Sequence, residues 1–184
     1  MRAYQPKQRG FTLIELLASI TILITLAALL SPTLERFIER SRSTVCAGNL
    51  RQIGVAVSLY TQDHNGSFPF INNPERPVYT TPEELPDGQV AQTMMEAFSP
   101  YGLTERTFRC PSDVAKNNYF AKEATSYEWR PWVDGENFLA PKVFTRRGAI
   151  ALRSASRVRI VMDTDSVHSG RQNTLYADGR VQAY

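Results

Sequence analysis

Between Phe11 and Leu34 the chain carries one charged residue, Glu15, in 24 positions. At 1.5 Å of rise per residue, about 20 apolar residues in a helix cross a hydrocarbon layer of roughly 30 Å. A helix in a soluble core keeps a polar face, whereas this stretch is apolar all round. It reads as a membrane-spanning helix near the N-terminus. A cleaved secretory signal is the competing reading, since a basic leader before an apolar run looks similar. Its apolar region is shorter, about 7 to 15 residues, and ends in small residues, for which Thr25-Leu26-Ala27 is a poor match. A buried core helix is the third.

Glu15 is the difficulty in a plain anchor. An acidic residue costs roughly 2.5 to 3.5 kcal/mol at the centre of a membrane helix, less near an end, and such residues have partners. The dipole at a helix N-terminus suffices for an isolated helix. Beyond Pro32, which removes a helical hydrogen bond, the pattern turns amphipathic. Cys46, Leu50, Ile53, Val57 and Tyr60 recur at steps of four and three on one helix face, with Arg36, Glu39, Arg40, Arg51 and Gln52 largely off it. The spacing predicts one helix from about Phe11 to about Asp63, stopped by His64-Asn65-Gly66. The charged positions read as a solvated face or as contacts to neighbouring copies.

Nine of the eleven prolines fall between Pro69 and Pro141, so loops and short elements are expected there. Gln89 to Phe98 reads as a short helix. Ser126 to Trp132 holds three aromatic rings, read as a packed strand in preference to a sugar-binding platform. Val158, Ile160 and Met162 alternate as a strand. Asp178-Gly179 between two apolar runs is a hairpin signal, and a two-residue turn would set Tyr176 beside Val181. The fold class is α+β, a small antiparallel sheet on the second half of one long helix. The segments are 1–10 as leader, 11–34 as membrane half, 35–63 as amphipathic half, and 64–184 as head.

The formal net charge of +3 suggests a polyanion partner only until its position is read. Arg2, Lys7 and Arg9 supply the whole excess, so nucleic acid is not expected. Cys46 and Cys110 are the only cysteines and form no Cys-x-x-Cys pair, which disfavours zinc and thioredoxin-like chemistry and leaves one disulfide open. Nucleotide-binding and common hydrolase motifs are absent from the sequence, and His168, Asp163 and Ser166 are weak grounds for a triad. Catalysis is not expected.

Lys7-Gln8-Arg9-Gly10-Phe11-Thr12-Leu13-Ile14-Glu15-Leu16-Leu17 resembles the prepilin leader of type IV pilins and type II secretion pseudopilins. The resemblance implies cleavage between Gly10 and Phe11 by a prepilin peptidase, which also methylates the Phe11 amine. It puts the assembly glutamate at Glu15 and the helix break at Pro32. It implies a single-pass protein of the bacterial inner membrane, leader in the cytoplasm and head in the periplasm, drawn into a filament after processing. Its partners would be the peptidase, membrane lipid, other pilin-like subunits and the inner-membrane assembly machinery.

His168, nine residues, then Asp178-Gly179 resembles a C-terminal signature of one group of prepilin-like proteins, as do Cys110-Pro111-Ser112-Asp113 and Asn49-Leu50-Arg51-Gln52-Ile53-Gly54. The implied orientation puts Cys46 and Cys110 in an oxidising compartment and favours a disulfide between them over buried free thiols. No cofactor is expected; calcium is a weak candidate at Asp163, Asp165 and Asp178, because major pseudopilins often bind it in a C-terminal loop. His168 is expected to pack or hydrogen-bond against the hairpin that turns at Asp178-Gly179. The implied function is a structural subunit of a secretion pseudopilus or pilus-like fibre; the alternatives are a single-pass anchored binding protein using the aromatic segment and a secreted enzyme.

Overall fold

The computed structural model describes residues 11–75, 77–86, 88–145, 148–151, 154–164, 168 and 170–184. The leader 1–10 with Gly10, and also Asp165 and Ser166, lie outside them. One helix, α1 (Leu13–Asp63), runs through Pro32. It begins two residues after Phe11 because Thr12 caps it. The Thr12 hydroxyl accepts from the Glu15 N–H at 3.3 Å, and the Glu15 carboxylate accepts from the Thr12 N–H at 2.9 Å and its hydroxyl at 2.6 Å. This is the reciprocal capping box, which satisfies two donors that a helix start otherwise leaves free.

The chain divides into two compact units, residues 1–38 and 39–184. In the first, every described residue is exposed. Its hydroxyls are nonetheless satisfied within the helix: Ser19, Thr21 and Thr25 donate to the carbonyls of Leu16, Leu17 and Ile22. That local pairing is what a polar side chain needs where no water reaches it.

In the second unit the predicted stripe is the core face of α1. Cys46, Leu50, Ile53 and Val57 have no exposed surface and Tyr60 has 7%. Four strands, β1 (Tyr127–Trp129), β4 (Arg159–Asp163), β5 (Asn173–Tyr176) and β6 (Val181–Ala183), form an antiparallel sheet in the order β1-β4-β5-β6. A separate hairpin joins β2 (Lys142–Thr145) to β3 (Gly148–Ala151). The helix lies close on the sheet at Gly54, where a Cβ would come to 3.0 Å from Leu175 Cδ1. This is the expected α+β arrangement, a long helix with its second half on a small antiparallel sheet.

Three local expectations are corrected. Only Met94–Phe98 of the segment 89–98 is helical (α2). Thr93 and Glu96 form a second capping box that starts the helix there. Gln92 is instead extended, accepting from Asn72 N–H and donating to the Phe70 carbonyl. In β4, Ile160, Val161, Met162 and Asp163 are all buried rather than alternating, because the strand is interior to the sheet with both faces covered. The last hairpin pairs Leu175, not Tyr176, with Val181. Its turn has three residues: Gly179 N–H donates to the Tyr176 carbonyl and Tyr176 N–H to the Arg180 carbonyl. Gly179 sits at φ 81°, the left-handed bulge position that follows a type I turn and shifts the register by one.

Short helices fill the intervening chain, including α3 (Pro111–Lys116) and α4 (Tyr119–Glu123). Asp134 ties the loop around residues 71–79 to β1, accepting from Ile71 N–H at 3.3 Å, the Tyr79 hydroxyl at 2.7 Å and the Trp129 indole N–H. Burial pushes its carboxyl up to about 7, against the opposing pull of these donors. The folded head therefore binds this proton more tightly than the unfolded chain does. The resulting stability is full below the unfolded carboxylate value near 4 and is lost as pH rises through about 7. Denaturant titrations from pH 4 to 8 should show stability falling with pH, by up to about 1.4 kcal/mol per unit for one proton. Asp134→Asn should flatten that slope.

Candidate functional site

Two groups of residues carry the functional signals, one in each compact unit. In the first unit, Phe11 is 79% exposed and Glu15 lies one helical turn on, bonded to Thr12. Positions 11 and 15 share a helix face. Leu13, Ile14, Leu16, Leu17, Ile20 and onward to Leu34 are exposed apolar side chains around the whole circumference. Such a surface is stable only against lipid or other apolar helices.

In the second unit, Cys46 on α1 is joined by a disulfide to Cys110, the residue that precedes α3, with Cα atoms 5.5 Å apart. His168 lies against this bridge. Its Nε2 is 3.4 Å from Cys110 Sγ and 3.4 Å from Asp163 Oδ2 at the end of β4. Its Nδ1 donates to Glu39 Oε1 at 2.8 Å, and the Ser112 hydroxyl donates to the same oxygen at 2.6 Å. Asp163 accepts from Asn173 twice, from the backbone N–H at 2.8 Å and from Nδ2 at 2.9 Å. The Asn173 amide also reaches the carbonyl and hydroxyl of Ser43 at 3.3 and 3.2 Å. Burial raises the Asp163 carboxyl above the ordinary range, and its contacts with Asn173 and His168 oppose that shift. The cluster thus fastens α1, α3, β4 and β5 to one another.

His168 does not meet the turn at Asp178-Gly179. The intervening residues include the whole of β5, so the two parts of the signature lie at opposite ends of that strand. Asp178 instead accepts from the Arg180 N–H at 3.1 Å and pairs with the Arg180 guanidinium at 3.8 Å. Asp163 and Asp178 are for the same reason not brought together around one calcium, and Asp165 lies outside the described residues. Of the triad candidates, His168 and Asp163 are neighbours and Ser166 is not described. The aromatic segment is spent on the core: Tyr127 and Trp129 are buried, and Trp132 is half-exposed beneath the Arg130 guanidinium at 5.0 Å. An exposed sugar platform loses two of its three rings.

Glu39 was expected on a solvated or neighbour-facing side, and the structure turns it onto His168. Spacing held the signal: Glu39 and Ser43 precede Cys46 at steps of four and three, extending the stripe by two turns with polar residues.

A span-like helix starts at a capped Thr12 with a single acidic residue in its first turn, and an α+β head follows it. The prokaryotic N-terminal methylation motif matches residues 5–31, which include Gly10, Phe11 and Glu15. The chain therefore carries the prepilin-type N-terminal signature. No curated protein and no solved structure matches the chain.

The disulfide spans a sequence separation of 64. Closing so long a loop restricts the unfolded chain by an amount worth about 4 kcal/mol in the chain-entropy account. Urea unfolding of the protein with and without a thiol reductant should show a loss of about 2 to 4 kcal/mol on reduction, and Cys110→Ala should be insensitive to reductant.

Proposed function

We propose that this chain is a structural subunit, cleaved between Gly10 and Phe11 and methylated at the new amine, that polymerises into a type II secretion pseudopilus or a type IV pilus-like fibre. The observation that carries the reading is the helix behind the methylation motif, none of whose 18-residue apolar window is buried inside the chain. As a precursor, the subunit satisfies that surface with lipid, as a single-pass protein of the bacterial inner membrane with its leader in the cytoplasm and its head in the periplasm. In a fibre the same surface is satisfied by equivalent helices of neighbouring subunits. The partners in this reading are the prepilin peptidase and methyltransferase, other pilin-like subunits and the inner-membrane assembly machinery.

Glu15 supplies register. Cleavage creates a positive amine at Phe11, four residues away on the same helix face. A carboxylate drawn into an apolar fibre core costs several kcal/mol unless it is paired, and the amine of a neighbouring subunit compensates it. Thr12 shields the carboxylate in the isolated helix, and the intersubunit pair replaces part of that shielding on assembly.

Mass spectrometry of the mature N-terminus tests the processing step: methylated Phe11 is expected, while an intact Met1 would leave a simple anchor and a start near Ala28 a secreted protein. Gly10→Val should retain the leader and abolish assembly. Glu15→Ala and the near-isosteric Glu15→Gln should be inserted and cleaved normally yet enter fibres at least tenfold less often than wild type when the two are co-expressed. Normal incorporation of fully processed Glu15→Ala would remove this residue from the assembly mechanism.

A further inference from the structure

We propose that, while Cys46 and Cys110 are still thiols, they form with His168 a zinc site, completed by Asp163, which the disulfide later replaces. The inference concerns the head alone and stands independently of fibre assembly. One donor atom from each of Cys46, Cys110 and His168 lies within 4.8 Å of the other two, and all three residues are buried. For Zn–S near 2.3 Å and Zn–N near 2.05 Å at a tetrahedral angle, sulfur and nitrogen ligands sit about 3.5 Å apart, and nitrogen and oxygen ligands about 3.4 Å apart. His168 Nε2 is 3.4 Å from Cys110 Sγ and 3.4 Å from Asp163 Oδ2. Both separations match those expected between ligands of one ion.

The surroundings fit the same chemistry. A metal-bound imidazole passes its other N–H to a carboxylate, which fixes the ring and raises its basicity. Here Nδ1 is held by Glu39 at 2.8 Å, with Ser112 on the same oxygen, so Nε2 is the nitrogen left for an ion. Asp163 has no exposed surface, and its Oδ1 has no hydrogen-bond partner among the described residues. A fully buried oxygen without a described partner, on the carboxylate that faces His168 Nε2, is an unfilled ligand position.

Loading moves no electrons: two thiols release two protons as two Zn–S bonds form. Closing the bridge removes two electrons from the sulfurs. A disulfide-bearing thiol oxidase takes them and, with two protons, becomes a dithiol, while both Zn–S bonds break and the ion leaves. The ion would hold α1, α3 and β4 in their final places before the covalent bond exists, so that the bridge closes between partners already aligned.

The test uses the full chain in detergent, reduced with a phosphine under argon and titrated with Zn2+ and, separately, Co2+. One equivalent of Co2+ per chain with sulfur-to-cobalt charge-transfer absorption is expected, along with a rise in melting temperature on adding Zn2+. Oxidation with a disulfide reagent should release the ion stoichiometrically as two thiols disappear. His168→Gln should weaken binding at least 100-fold and Glu39→Gln about tenfold, and both variants should still form the Cys46–Cys110 bridge in air, which shows that they fold. If the reduced wild type neither binds Co2+ through sulfur nor gains structure or stability with Zn2+, the site does not exist, whether or not the reduced chain is folded. His168→Gln binding Co2+ as tightly as wild type would equally overturn the assignment.

Discussion

The seam along α1 from Glu39 to Tyr60 is the interaction on which the head depends. Cys46, Leu50, Ile53 and Val57 are wholly buried along it, and at about 1.5 to 3 kcal/mol for each fully buried large aliphatic side chain Leu50, Ile53 and Val57 supply much of what a sheet of three- to five-residue strands cannot supply alone. Gly54 allows the close approach, since Leu175 already occupies the space a side chain would take. The first two turns of the seam are polar, and there Glu39 and Ser43 meet His168 and Asn173. A contact stripe that ends in hydrogen bonds fixes the helix along its axis as well as against the sheet, because apolar contacts tolerate sliding and a bonded pair does not.

The same helix meets two different solvents, and its sequence changes accordingly. Up to Leu34 the apolar side chains face outward and the hydroxyls of Ser19, Thr21 and Thr25 return to the helix's own carbonyls. From Glu35 onward most charges are exposed, with Glu39 turned onto His168, and Cys46, Leu50, Ile53, Val57 and Tyr60 gather on one buried stripe, while Phe37, Val45, Val55 and Leu59 stay exposed. Pro32 stands at this change, and lacks the N–H that would otherwise bond the Ala28 carbonyl. A helix that relied on its own backbone alone would be weakest there.

Much of this was legible because it is periodic. The Cys46-to-Tyr60 stripe has the helical period, and the leader is a contiguous motif, so both survive without knowledge of the tertiary structure. The hairpin shows where periodicity stops helping. Asp178-Gly179 marked the turn, but whether two or three residues make it depends on Gly179 adopting a left-handed bulge, and a one-residue difference moves Val181 from Tyr176 to Leu175. The capping boxes at Thr12 and Thr93 were written in the sequence as Thr-x-x-Glu, and reading them would have set both helix starts. The role of His168 was not legible in the same way. Its partners Glu39, Cys110 and Asp163 lie 129, 58 and 5 positions from it, and only the fold makes them neighbours.

A proline-rich head with short strands needs some other way to satisfy its backbone, and buried carboxylates provide it. Asp113 accepts from the N–H groups of Tyr119 and Phe120 and from the Ser126 hydroxyl, fixing the start of α4 and the entry to β1. Asp134 does the same between the Ile71 backbone, Tyr79 and Trp129, and Asp163 between β4 and the Asn173 backbone at the start of β5. Each gathers donors that a regular sheet or helix would have paired internally, and each is worth more in a low-dielectric interior than at the surface. The arrangement has a cost, because removing one such acid strands several donors at once. It also leaves the head with acidic groups held away from water. Among the described residues both oxygens of Asp113 and of Asp134 accept a hydrogen bond, whereas Asp163 Oδ1 has no partner. The carboxylate with that open oxygen is also the one that faces His168 Nε2 at 3.4 Å, and donors of the described residues do not account for all of its capacity.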